Sequence, residues 1–270
     1  MANDTLNIPY KHHIVLPFAS GINSEYIKSL YEQKWHYTAI VGILYMILIK
    51  YLQNYMKQRE AIHCKTQLIA WNAILATFSL VGLARSVEEM LFVLNEHSFY
   101  HSICYTFHQD SVSAHWYFFF SLSKVWELGD TVFLALRKKH LSFLHCYHHV
   151  SVLIYTFQSG SESLAAGRWF IFMNFAAHSA MYTYYTLTSM GYKPPKNVSA
   201  SVTMVQITQM IGGVIISCIV LGLKLFTSTP CQQTNFNLML CFSIYISYFY
   251  LFMKFFNNAY LSNGKKTKKD

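Results

Sequence analysis

The run SASVTMVQITQMIGGVIISCIVLGL, Ser199–Leu223, carries no Asp, Glu, Lys or Arg. A helix of about 20 apolar residues crosses the hydrocarbon core of a bilayer, so this run reads as a membrane span. Six other segments have similar length and character: Tyr37–Tyr55, Leu68–Leu94, His115–Leu136, Leu141–Phe157, Arg168–Thr188 and Phe236–Asn257. The expectation is an all-α polytopic membrane protein with seven transmembrane helices. Composition agrees. Of 270 residues 53% are hydrophobic and 12% charged, where a soluble domain carries about a quarter charged residues. A soluble enzyme, a disordered chain and a collagen-like chain are excluded on the same ground.

The net charge of +9 is distributed by loop. Lys57, Arg59 and Lys65 follow the first span, and Arg137, Lys138 and Lys139 join the third and fourth. Lys193 and Lys196 join the fifth and sixth, and Lys265, Lys266, Lys268 and Lys269 end the chain. Seven alternating spans put all four clusters on one side, which the positive-inside rule makes cytosolic. The N-terminus is then lumenal and the C-terminus cytosolic. Charge placed at span ends suits topology and anionic lipid, and no nucleic-acid partner is expected. The organisation reads as a lumenal segment 1–36, a seven-span domain 37–257 and a basic tail 258–270. The N-terminus lacks a signal-peptide pattern, so the first span is expected to direct insertion. Asn3 heads a lumenal Asn-Asp-Thr sequon and is a glycosylation candidate. Cys104 and Cys231 both fall in lumenal loops, the oxidising side, and a disulfide between them is expected over two free thiols. Lys266 and Lys268 resemble a dilysine retrieval signal for the endoplasmic reticulum; the plainer reading is a solvated basic end near acidic lipid. No CxxC pair suggests a zinc site, and no metal is expected.

Ionisable groups inside hydrocarbon are costly and usually mark a functional interior. In the fourth span His145, His148 and His149 stand at i, i+3 and i+4, which places all three imidazoles on one helix face. Lys124, Glu127 and Asp130 follow one another at i+3 steps in the third span. They form either an internal ion pair or a charged wall for a polar substrate. Asn174, His178 and Tyr182 make a stripe in the fifth span at i, i+4 and i+8. Thr203, Gln206 and Gln209 make another in the sixth, which serves either interhelical hydrogen bonding or the same site. Arg85 is expected to pair with Glu88 or Glu89. From helix rise, His148, Asp130 and Gln206 lie roughly 10–12 Å below the cytosolic face. The basic rim Arg137, Lys138 and Lys139 stands above them and suits phosphates. Apolar lining beneath suits an acyl chain.

The ordered stretches Trp71-Asn72, Lys124-Val-Trp-Glu127-Leu-Gly-Asp130-Thr131, His145-Cys-Tyr-His148-His149, Asn174-Phe-Ala-Ala-His178 with Met181-Tyr182-Thr-Tyr184-Tyr185, and Thr203-Met-Val-Gln206-Ile-Thr-Gln209 resemble the ELO family of very-long-chain fatty acid elongases. Leu141 before the histidine box resembles the branch acting on saturated and monounsaturated chains, nearest its elongase 3 and elongase 6 types. The resemblance implies an endoplasmic reticulum enzyme whose spans two to seven form an inverted barrel around a substrate tunnel. It implies the condensation of a long-chain saturated or monounsaturated acyl-CoA with malonyl-CoA, giving 3-oxoacyl-CoA, CO2 and CoA. No cofactor beyond the CoA thioesters is called for; membrane lipid and other enzymes of the elongation cycle are the expected partners. Such a condensation needs an activated acyl group and then a stabilised enolate. Cys146 points about 100° away from His145 on an ideal helix, so His148 is the expected nucleophile, forming an acyl-imidazole. His145 and His149 would orient it and manage protons, while Asn174 and His178 hold the enolate. Lys124, Glu127, Asp130, Tyr182, Gln206 and Gln209 would line the site, with Arg137, Lys138 and Lys139 on the CoA phosphates. A di-iron desaturase also uses HxxHH, but it needs about eight histidines in several boxes, and this chain has one such box. A seven-span receptor or passive transporter fits poorly with charges gathered at a cytosolic cavity.

Overall fold

The computed structural model describes residues 7–12, 23–108 and 111–261. Asn3, Lys266 and Lys268 lie outside the described residues. Within them, a short strand β1 (Asn7–Ile8) pairs in parallel with β2 (Thr106–Phe107). The rest is helical: α1 (Ser24–Lys34), α2 (Tyr37–Met56), α3 (Lys65–Glu96), α4 (Phe99–Cys104), α5 (Val112–Trp126), α6 (Gly129–Leu136), α7 (Phe143–Ser161), α8 (Gly167–Met190), α9 (Lys196–Phe226) and α10 (Asn235–Phe256), with a single π turn, Asn257–Leu261.

Four of these helices are long and apolar enough to cross a membrane: α2, α3, α9, and α10 with its π turn. The helices that carry the histidines and Asn174 are less apolar for that reason. The expected third span is two helices rather than one. At 15 and 8 residues, neither α5 nor α6 reaches the roughly 20 needed alone. Between them Leu128, Asp130 and Thr131 donate to the carbonyls of Val125, Glu127 and Leu128. These i→i−3 bonds tighten the chain into a 3₁₀-type turn, a recurrent device at functional bends. Gly129 sits on the break because the Trp71 indole packs there: a Cβ would lie 2.5 Å from the ring.

Contacts between neighbours run α3 to α8, α8 to α9, α9 to α10, α10 to α7, α7 to α5 and α5 back to α3, which closes a cycle of six helices. α2 packs from outside on α6 and α7. Its buried residues Thr38, Gly42, Tyr45, Ile49 and Met56 recur at helical spacing. Its outward face exposes Ile40, Ile43, Leu44, Ile47 and Leu48, as an apolar solvent permits.

One end of the bundle is locked by covalent and polar contacts. Cys104 and Cys231 are joined by a disulfide. Arg168 Nε donates to both Glu89 oxygens at 2.9 and 2.8 Å, and its Nη1 to the Ser102 and Tyr105 carbonyls. Arg85 pairs with Glu88 at 2.9 Å, so the two neighbouring glutamates serve different arginines. Asn237 Nδ2 donates to Gln158 Oε1 at 2.6 Å and Ser159 Oγ at 3.0 Å. Glu162 then accepts from Gln158 and Thr234, each at 2.6 Å. Arg168, Glu89, Gln158 and Asn237 are buried, and these bonds use most of their polar atoms, while Arg168 Nη2 has no hydrogen-bond partner among the described residues.

Candidate active site

α7 opens on Ser142, whose side chain accepts the His145 backbone N–H at 3.2 Å. That cap fixes where the helix starts and puts His145 in its first turn. One turn on, the His145 and His149 rings lie 4.4 Å apart and those of His148 and His149 5.5 Å apart. His148 also faces the Tyr248 ring at 5.0 Å. His145 Nε2 is 2.7 Å from Thr131 Oγ1 on α6. His149 Nδ1 is buried with no hydrogen-bond partner among the described residues.

Across from α7, Lys124 on α5 is 1% exposed and its ammonium donates to Glu127 Oε1 and Asn174 Oδ1, both at 2.8 Å. Glu127 Oε1 also accepts from Ser123 Oγ at 3.0 Å and lies 3.4 Å from His178 Nδ1. An amide whose oxygen is held by an ammonium has its NH2 left to donate. The carboxylate at Nδ1 orients the His178 ring, leaving Nε2 as its free nitrogen. Asp130, the first turn of α6, accepts from Trp71 Nε1 at 2.6 Å and Tyr182 OH at 2.7 Å. The close approach at Gly129 brings that indole within reach.

These helices surround one cavity of about 540 Å³. Of the residues expected from sequence, His145, His148, His149, Asn174, His178, Glu127, Asp130, Tyr182, Gln206, Gln209 and Arg137 line it. Three expected residues are elsewhere. Lys124 stands behind the wall, spent on Glu127 and Asn174. Lys138 adopts a left-handed conformation, φ 53°, in the turn ending α6, and its ammonium binds the carbonyls of Lys57 and Arg59 at 3.3 and 3.1 Å. It thus serves the C-terminal end of α2, where a cation is favoured. Lys139 is exposed and outside the lining. The basic residue in the cavity lining is Arg137; Lys196 lies 5.9 Å from the ring of Tyr260, a lining residue.

Several lining residues had no sequence signal. Phe252, Phe255 and Tyr260 enter from α10 and its π turn, and Thr188 and Ser189 from the end of α8. Tyr260 lies beyond the expected end of the seventh span, and a period change to a π turn does not alter the apolar pattern that was read. Among the described residues no group of three His, Cys, Asp or Glu is placed to hold a metal ion.

Comparison with known proteins bears on this site. The model of the GNS1/SUR4 family, ELO, matches residues 30–268. A protein of Caenorhabditis elegans named putative fatty acid elongase 4 is 45% identical over 260 residues, covering 96% of this chain and 89% of that protein. Very long chain fatty acid elongase 6 of Drosophila melanogaster is 37% identical over 267 residues, 98% of this chain and 84% of its own length. Very long chain fatty acid elongase 3 of Homo sapiens is 38% identical over 246 residues, 91% and 90% of the two chains.

Proposed function

We propose that this chain, which belongs to the ELO (GNS1/SUR4) family of fatty acid elongases, is a condensing enzyme that joins a long-chain acyl-CoA to malonyl-CoA. The observation that carries the proposal is the cavity itself, where four imidazoles and the Asn174 amide converge beneath Arg137. His148 attacks the acyl thioester carbonyl; the C–S bond breaks and CoA leaves as the thiol. Malonyl-CoA then binds and loses CO2. The carbanion attacks the acyl-imidazole, the C–N bond breaks, and the departing imidazole nitrogen takes a proton from solvent in place of the one given to the CoA thiol, which restores His148 with 3-oxoacyl-CoA as product. The charge that develops on the malonyl thioester oxygen needs donors already in place. The Asn174 NH2, oriented through Lys124, is one such donor; the His178 ring gives its Nδ1–H to Glu127, so its Nε2 serves as the second donor in the imidazolium form. Arg137 and Lys196 hold the CoA phosphates.

The same reading extends to the membrane frame. The cycle of helix contacts supports an inverted barrel of spans two to seven, with α2 as the first span outside it. The basic mouth faces the cytosol. The Cys104–Cys231 disulfide belongs to the lumenal side, the oxidising compartment of an endoplasmic reticulum protein. Saturated and monounsaturated acyl-CoAs are the substrates.

Purified protein given labelled malonyl-CoA and an acyl-CoA series is expected to release CO2 and form 3-oxoacyl-CoA. His148→Ala is expected to abolish both this turnover and the acyl-enzyme seen by intact mass. Full turnover by His148→Ala would remove His148 from the nucleophile's role.

A further inference from the structure

The Tyr45 phenol comes from α2, the helix outside the ring, yet it reaches the reacting centre. Its oxygen is 2.6 Å from Thr131 Oγ1, and Thr131 Oγ1 is 2.7 Å from His145 Nε2. Tyr45 is 5% exposed and Thr131 fully buried, so water does not compete for the bond between them. Three groups in a row share two hydroxyl protons, and burial requires that both be used. A phenol is a stronger acid than an aliphatic hydroxyl. The Cys146 thiol beside it is a weak acceptor. The phenol therefore donates to Thr131, whose own proton is left for the imidazole.

We propose that Tyr45 is a positioning residue that acts through Thr131 to hold His145 with Nε2 as acceptor and its proton on Nδ1. The inference rests on the reading of the histidine cluster as the reacting centre. In that tautomer His145 is a fixed hydrogen-bond donor beside His149 rather than a second free base. The nucleophile's role is thereby left to His148. The device also explains why α2 turns a tyrosine inward. Its neighbours in the buried stripe, Gly42 and Ile49, only fill space: a Cβ at Gly42 would meet Val150 at 3.0 Å.

The test compares Tyr45→Phe, Thr131→Val and the double variant of the full purified chain with Ile49→Ala, which loosens α2 without touching the relay. Each is measured for thermal stability, for the acyl-CoA KM and for kcat of CoA release. Tyr45→Phe and Thr131→Val are each expected to lower kcat roughly tenfold at unchanged KM, and the double variant to fall no further, since residues acting as one unit are not additive. Ile49→Ala is expected to lower the melting temperature and keep kcat. A Tyr45→Phe enzyme with wild-type kcat, or a loss that tracks stability as in Ile49→Ala, or effects that multiply in the double variant, would overturn the relay. The tautomer is read separately by 15N NMR of imidazole-labelled protein, with His145→Ala assigning the signal. An Nδ1–H signal that changes in Tyr45→Phe supports the inference, and an Nε2–H signal overturns it even if the enzyme is inactive. Wild-type protein that releases no CoA would instead overturn the functional reading and leave the tautomer result to stand.

Discussion

Lys124 is buried behind the cavity wall, and its ammonium donates to Glu127 and to Asn174. Its i+3 spacing to Glu127 fits both an ion pair and a charged wall, and the sequence leaves the choice open. The fold gives Lys124 the first, with Asn174 on α8 as its second partner at 2.8 Å, while Glu127 and Asp130 line the cavity. A pair this buried contributes little net stability, but removing one partner strands the other. Lys124→Met is expected to destabilise the protein by about 3–5 kcal/mol, read as a lowered melting temperature in detergent. Lys124→Met with Glu127→Leu is expected to recover most of that loss and no activity, because Asn174 and His178 have lost what orients them. A double variant that regained turnover would show that the pair serves packing alone. The histidines and Asn174 were legible as one-face patterns within single helices. The Lys124–Asn174 bond spans 50 residues of chain, and no local spacing encodes it.

At the scale of the element, local signals predicted helices well and their interruptions poorly. The run from His115 to Leu136 gives one sign of breaking, Gly129, which costs a helix about 1 kcal/mol relative to alanine and by itself does not stop one. What decides the break is Trp71 from α3, which occupies the space a side chain at 129 would need. The start of α7 is the opposite case: Ser142 is an ordinary N-cap and sets the register of all three histidines. Ser142→Ala is expected to cost about 1 kcal/mol, as cap removal does, and to lower kcat by letting the first turn, with His145, fray. Ser142→Asp, which keeps an acceptor for the His145 N–H, is expected to restore stability and most of kcat. Equal kcat in the alanine and wild-type proteins would mean that the cap does not set His145.

For the whole molecule, alternating basic loops predict a direction for the chain through the membrane, but no loop pattern predicts ring closure. Closure depends on α3 packing along α8 and on α5 meeting α3 and α7, contacts between segments far apart in sequence and equally apolar on several faces. Closure also divides labour between the two ends. The mouth holds the cavity and relies on hydrogen bonds between side chains. The opposite end is held by the Cys104–Cys231 bond, Arg168 with Glu89, and the Asn237 network. The disulfide closes a loop of 127 residues, for which the chain-entropy account gives about 4–5 kcal/mol. Because neither cysteine lines the cavity, stability and chemistry are separable here. Cys104→Ser, or treatment with reductant, is therefore expected to lower the melting temperature by several degrees while the surviving folded protein keeps its KM and kcat. A kcat that fell in proportion to the stability lost, measured below the melting transition, would show that the two ends of the ring are coupled and that the locked end helps to shape the cavity.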